Sequence, residues 1–183
     1  MAKGLHLVAM VQYQGAAEND AAIPWHADFL RIDKDRSSEN GDAFHETNLS
    51  ESIRARGIHR VLVAGLTTQN GVRETVMGSL REGFETWLLM DGVADQPADV
   101  PLADRALIEM RSAGAAFASV GQIATLIKHQ QEPTALVAVG IQSFHGPGGT
   151  EEVPGAKAVF DRIGQLIEFG CRQIHRRPEE ILA

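Results

Sequence analysis

Three histidines, one lysine and one glycine-bounded turn are the parts of this sequence whose residue types could do chemistry. His26, His45 and His145 carry imidazoles, which titrate near neutral pH and can therefore take and return a proton. All three fall in segments that read as loops. Lys34, between Asp33 and Asp35, can supply positive charge to a carboxylate or carbonyl oxygen, although the same setting suits a solvated loop lysine. From Gly65 to Gly71 the chain reads G-L-T-T-Q-N-G, placed between an apolar run and an amphipathic one. A strand turning into a helix there leaves backbone N–H groups at the positive end of the helix dipole, which favours a carboxylate or a developing oxyanion. Thr67, Thr68, Asn70 and Gly71 are then candidate binding residues, and Trp25 and Phe44 could wall an apolar pocket.

The elements that must position these groups follow from the hydrophobic pattern. Short runs that are apolar on both faces, Leu5 to Val11, Arg60 to Ala64, Thr86 to Met90, Ala116 to Val120 and Thr134 to Val139, suit strands of a parallel sheet covered by helices on each side. Amphipathic stretches lie between them. Asn48 to Arg56 stops at Gly57, Gly71 to Glu82 stops at Gly83, and a helix opened by Asp99 and Pro101 runs to about Ser112 before Gly114. A short helix covers Gly121 to His129, and a long one starts near Pro154 with Val159, Ile163, Leu166 and Ile167 on one face. This alternation predicts a single α/β domain over residues 1–183, a doubly wound, mostly parallel sheet of five to six strands with helices on both faces. Ligands in such a sheet bind beyond the strand carboxyl ends, where Gly65 to Gly71 and Gly140 to Gln142 both fall. Tyr13 to Thr47, about 35 residues read as one irregular stretch, has the length of a binding loop.

Composition narrows the partners. With a net charge of -7 and only a short cationic stretch at Arg172 to Arg177, the chain lacks the basic footprint of a nucleic-acid binder. No apolar stretch approaches the roughly 20 residues of a membrane span, and no secretory signal is visible, so a cytoplasmic protein is expected. A single cysteine, Cys171, excludes an intrachain disulfide framework and a cysteine-based zinc cluster. It falls near the end of the last long helix, which places it away from the strand carboxyl ends.

The segment HRVLVAGLTTQNGVRETVMGSLREGFETWLLMDGVAD (His59 to Asp95) resembles the most characteristic block of the isochorismatase-like (cysteine) hydrolase superfamily, G-x-x-T-x-x-C-V-x-x-T, with Gly65, Thr68, Val72 and Thr75 at the matching positions. RIDKDRSSENGDAFHETNLSESIRARG is similar to the lysine loop of that family, with Lys34 at the lysine and Phe44 and Thr47 at the aromatic and helix-cap positions. The family's opening unit, a strand ending in D-x-Q, a glycine-rich loop and a helix, is matched by TALVAVGIQSFHGPGGTEEVPGAKAVFDRIGQLI (Thr134 to Ile167), including Gln142 and the Gly148-Gly149 pair.

The resemblance therefore implies a circularly permuted domain in which 134–173 corresponds to the family's N-terminal strand–helix unit. It implies glycine at two chemical positions: Gly140 for the aspartate that acts as acid or base, and Gly71 for the nucleophilic cysteine, a position where the vinyl-ether-cleaving members also carry glycine. It implies a cis peptide at Leu66-Thr67. It also implies a small-molecule enzyme, hydrolase or lyase, acting non-covalently on a compact carboxylated or carbonyl metabolite between the Lys34 loop and Gly71. Lys34 is the catalytic candidate, and Thr67, Thr68, Asn70, Gly71, Gly140, Gln142, Trp25, His26 and Phe44 are the binding candidates. A non-catalytic metabolite-binding or scaffold protein is the alternative that two such replacements leave open. Trp25-His26-Ala27-Asp28 holds an incomplete metal-binding spacing, so neither a metal nor a cofactor is expected.

A homo-oligomer is expected by the same resemblance. Light scattering at micromolar concentration should return at least a dimer, and a monomer would contradict it.

Overall fold

The computed structural model describes residues 5–13, 22–23, 29–34, 41–129 and 132–174. Trp25 and His26, and with them most of the first long loop, lie outside the described residues. In chain order the elements are β1 (Leu5–Tyr13), β2 (Leu30–Lys34), α1 (Leu49–Arg54), β3 (Arg60–Leu66), a π-helical turn (Thr68–Val72) continuing into α2 (Arg73–Arg81), β4 (Glu85–Ala94), α3 (Val100–Ser112), β5 (Ala116–Ala118), α4 (Val120–His129), β6 (Thr134–Val139) and α5 (Ala156–Ile174). The six strands form one sheet in the order β2-β1-β6-β3-β4-β5, and every pairing is parallel.

The late strand β6 sits in the middle of this sheet. Its partners are β1, with Val8 opposite Leu136, and β3, with Val61 opposite Ala135. Every residue of β3 and β6 is buried, which is the burial that an uninterrupted apolar run requires. Alternation of side chains along the strands divides them between two cores. Leu62, Ala64, Leu136 and Ala138 meet Ile123 and Ile127 of α4 and Ile163 and Leu166 of α5. Val61, Val63, Ala135 and Val137 face the other way, onto Ile53 of α1, Val76 of α2 and Met110 of α3. Burying each of the valines, leucines, isoleucines and the methionine contributes about 1.5–3 kcal/mol, and these two layers are what hold the strand carboxyl ends in place. Among the described residues no helix is long and apolar enough to cross a membrane.

Two elements differ from the sequence expectation. The stretch Tyr13 to Thr47 is not one irregular segment, because β2 forms inside it and pairs with β1 from Ala9 opposite Leu30 to Tyr13 opposite Lys34. In Leu30–Lys34, Ile32 and Lys34 are buried while Arg31 and Asp33 are exposed and paired at 2.7 Å. An edge strand with a solvated face carries this half-polar alternation, so a search for fully apolar runs passes over it. β5 ends at Ala118 and not at Val120, since Val120 opens α4 and donates its N–H to Asp91 Oδ1 at 2.7 Å.

At the carboxyl ends of β3 and β6 the two backbones approach so closely that neither tolerates a side chain. Gly65, with φ 132°, is paired with Val139, and a Cβ on it would overlap the Val139 carbonyl. Gly140, with φ 66°, faces Leu66, and a Cβ there would overlap the Leu66 carbonyl oxygen. Both need the left-handed region that glycine adopts without cost. Replacing Gly65 by alanine should therefore cost about 3 kcal/mol or more in urea denaturation. A loss below about 1 kcal/mol would contradict this packing.

Candidate functional site

The strand carboxyl ends open into a cleft of about 360 Å³. One wall is the turn after β3, contributing Leu66, Thr67, Asn70 and Gly71. The other wall is the loop after β6, contributing Phe144, His145, Glu151 and Val153, and Gln96 and Asp99 close the side beyond β4.

Local chemistry explains the shape of the first wall. The peptide Leu66-Thr67 is cis, as the resemblance implied. Thr68 then donates both its N–H and its hydroxyl to Asp95, at 2.7 and 2.5 Å, so a carboxylate from the end of β4 caps the π-helical turn. The N–H groups of Asn70 and Val72 turn back to the Thr67 carbonyl at 3.2 and 3.4 Å. Asn70, at φ -112° and ψ -113°, breaks the helical path and is held by a 3.3 Å bond from its Nδ2 to Thr67 Oγ1.

The second wall is a short 3-10 turn, Ser143–His145, folded back against the chain that follows it. Glu151 N–H donates to the Phe144 carbonyl at 3.0 Å and Val153 N–H to the His145 carbonyl at 2.9 Å. Gly149 lies against the Phe144 backbone where a Cβ would overlap it, and Gly148 N–H donates to Glu152 Oε2 at 2.9 Å. Gln96 Nε2 reaches the Glu152 carbonyl at 2.7 Å and ties this loop to the end of β4.

The structure brings Thr67, Asn70 and Gly71 to the cleft, places Thr68 directly behind it, and adds His145 from the histidines. Other expected residues sit elsewhere. Lys34, 5% exposed, donates from Nζ to the His45 carbonyl at 2.9 Å and does not line the cleft. Among the described residues, Gly41 covers one side of Gly71 so tightly that a Cβ on Gly41 would stand 2.9 Å from the Gly71 Cα. Phe44 is taken by the core, its ring 5.8 Å from that of Phe84. His45 extends outward, 3.8 Å from Glu46. Gly140 abuts the cleft only through Leu66, and an aspartate there would not fit, contrary to the steric tolerance an intact family scaffold implies. Gln142 is fully buried with neither amide atom partnered among the described residues, and it does not line the cleft. Cys171 belongs to the last turn of α5, far from the helix start that follows β6. No three His, Cys, Asp or Glu side chains among the described residues are grouped to hold a metal.

Sequence reasoning missed Asp95, Gln96, Asp99, Phe144, Glu151 and Val153. The signal available for all six was their position just beyond the carboxyl ends of β4 and β6.

A family model described as the isochorismatase domain matches residues 26–122, more than half of the chain. The chain belongs to the isochorismatase family. Within it, the nicotinamidase/pyrazinamidase of Mycobacterium tuberculosis is 40% identical over 75 residues, a stretch that is 41% of this chain and 37% of that relative. The matched stretch thus spans little more than a third of the length of this curated relative. Among solved structures, a pyrazinamidase of Pyrococcus horikoshii in complex with zinc superposes with a TM-score of 0.51 at 28% identity, over 62% of this chain and 75% of that one. An isochorismatase-like hydrolase from Alkaliphilus metalliredigens shares the fold, with a TM-score of 0.54 at 19% identity over 66% and 72% of the two chains. The zinc named for the Pyrococcus protein belongs to that protein.

Asp42 anchors the chain that leads into α1. Its buried carboxylate accepts from Phe44 N–H and Arg81, each at 2.8 Å, in a socket that Gly78 leaves open. Burial raises its pKa above the ordinary 3.8, and the Phe44 amide, Arg81 and Lys34 pull the other way without overcoming it. A carboxyl whose folded pKa is raised adds stability that is complete below its unfolded value and is lost as pH rises through the folded one. Asp42→Asn should remove this downward slope above pH 3.8 from stability-versus-pH curves. Asp95→Ala, which strips both acceptors from Thr68, should cost about 2 kcal/mol in urea denaturation at pH 7.

Proposed function

We propose that this protein is a circularly permuted, isochorismatase-family enzyme that acts on a compact, neutral carbonyl compound, with no covalent thiol intermediate. What carries this reading is the cleft between the Leu66–Gly71 turn and the loop after β6. The central position of β6 supports the permutation, as does the approach of the last helix to the first strand, where a Cβ on Gly170 would stand 2.7 Å from Leu5 Cγ. A family match that stops at residue 122, and superpositions that cover about two thirds of the chain, agree with a strand–helix unit out of family order.

The substrate class follows from the lining. Leu66, Phe144 and Val153 offer an apolar surface for a small flat body, and Thr67, Asn70 and Gln96 offer hydrogen bonds for a carbonyl or amide. The charged groups among the described lining residues are Asp99 and Glu151, both acidic. The Asp99 carboxylate repels a carboxylated ligand, so a carboxamide or ester fits this cleft better than the carboxylated metabolite expected from the sequence. A carboxylate is instead the product, and repulsion from Asp99 favours its release. Thr67, Asn70 and Gly71 form the wall where negative charge would develop on a carbonyl oxygen. Gly71 and Gly140 stand at the family's cysteine and aspartate positions, so the chemistry passes to other groups. Lys34 serves as a positioning residue, holding the His45 carbonyl and the loop whose Gly41 rests on Gly71.

Purified protein tested against carboxamides, including nicotinamide and pyrazinamide, against esters and against vinyl ethers should turn over at least one neutral carbonyl compound. A bound compound at about 100 times its Kd should stabilise the fold by about 2.7 kcal/mol, a thermal shift of several degrees. Binding without turnover would favour a non-catalytic binding protein.

A further inference from the structure

We propose that His145 is the acid/base group of the cleft, its Nδ1 proton fixed on the Glu151 carbonyl so that Nε2 is left to accept a proton from attacking water. This rests on the reading of the cleft as the site of a carbonyl-hydrolysing enzyme and names the group that replaces the family's own.

His145 Nδ1 lies 3.2 Å from the Glu151 carbonyl oxygen, and because a carbonyl can only accept, the form with Nδ1–H is the one that turns this contact into a hydrogen bond. In a neutral ring with Nδ1–H, Nε2 is the free lone pair. The ring is also held in place. Its backbone is clamped by His145 N–H to the Gln142 carbonyl at 3.1 Å and by Val153 N–H to its own carbonyl at 2.9 Å, and the Phe144 ring packs 4.2 Å from it. A base that need not reorient is the arrangement that proton transfer exploits.

Asp99, from the start of α3, and Glu151, from the same loop as His145, are the charged groups among the described lining residues. No other imidazole, ammonium or thiol lines the cleft among the described residues. On the opposite wall stand Leu66, Thr67 and Gly71.

The step balances without a cofactor. As the water oxygen bonds to the carbonyl carbon, its proton passes to Nε2 and the C=O π pair moves onto oxygen. The imidazolium then returns that proton to the leaving nitrogen or oxygen as the bond to carbon breaks and the C=O re-forms. Water is thereby split between acid and amine or alcohol, and the ring ends neutral as it began. A positioned base and acid of this kind contributes about 10²–10⁴ in rate.

The test uses two variants of the full chain and one measurement independent of turnover. Asparagine places its side-chain N–H where Nδ1–H was, so His145→Asn keeps the Glu151 contact and removes only Nε2, while His145→Gln removes the Nδ1 donor. His145→Asn should lower kcat by about 100-fold or more on whichever carbonyl substrate the wild type turns over, with KM within about 3-fold and an unchanged thermal midpoint. In the wild type, ¹⁵N shifts of the His145 ring above pH 8 should report Nδ1–H, and nicotinamide should perturb Nε2 more than Nδ1. Retention of kcat in His145→Asn, or an Nε2–H tautomer, would overturn this inference alone. A wild type that turns over none of the carbonyl compounds would overturn the enzymatic reading and this inference with it.

Discussion

The backbone contact between the ends of β3 and β6 is the constraint on which the rest of the site depends. Gly65 lets the Val139 carbonyl pass on one side, and Gly140 lets the Leu66 carbonyl pass on the other. This reciprocal approach brings two chain segments far apart in sequence to a common edge. The turn that begins at Leu66 and the loop that begins after Gly140 must then diverge around a gap, and the gap is the cleft. Apolar burial on both faces of the two strands keeps them in register, so the close approach does not relax.

Much of this was legible in the chain, and the reasons are particular. Thr134–Val139 reads as a buried strand because six consecutive residues are apolar or small, and the sheet buries all six in its centre. The turn at Gly65 to Gly71 was visible because only a few residue types suit it. β2 was not legible, since Arg31 and Asp33 break its apolar pattern on the solvent face of an edge strand. Lys34 and Phe44 were misplaced relative to the cleft for a related reason. A motif gives the order of residues along a loop, whereas the side on which that loop packs depends on Gly41 meeting Gly71 and on Phe44 meeting Phe84. Trp25 and His26 lie outside the described residues.

Asp95 illustrates how the fold divides its carboxylates. It is consumed as a cap, accepting two bonds from Thr68, and so shapes the wall without facing the cleft. Asp42 is likewise spent on Phe44 and Arg81. Asp99 and Glu151 line the cleft itself. The chemistry proposed here needs the glycines at 71 and 140 to be compensated, and the loop after β6 is where the compensating groups gather.

A crystal structure of the protein soaked with a neutral carboxamide such as pyrazinamide decides whether the cleft is the site. The ring is expected against Leu66, Phe144 and Val153, with the carbonyl carbon between the Leu66–Gly71 turn and His145 Nε2. Density for the compound elsewhere on the molecule, or a bound carbonyl out of reach of both walls, would contradict it.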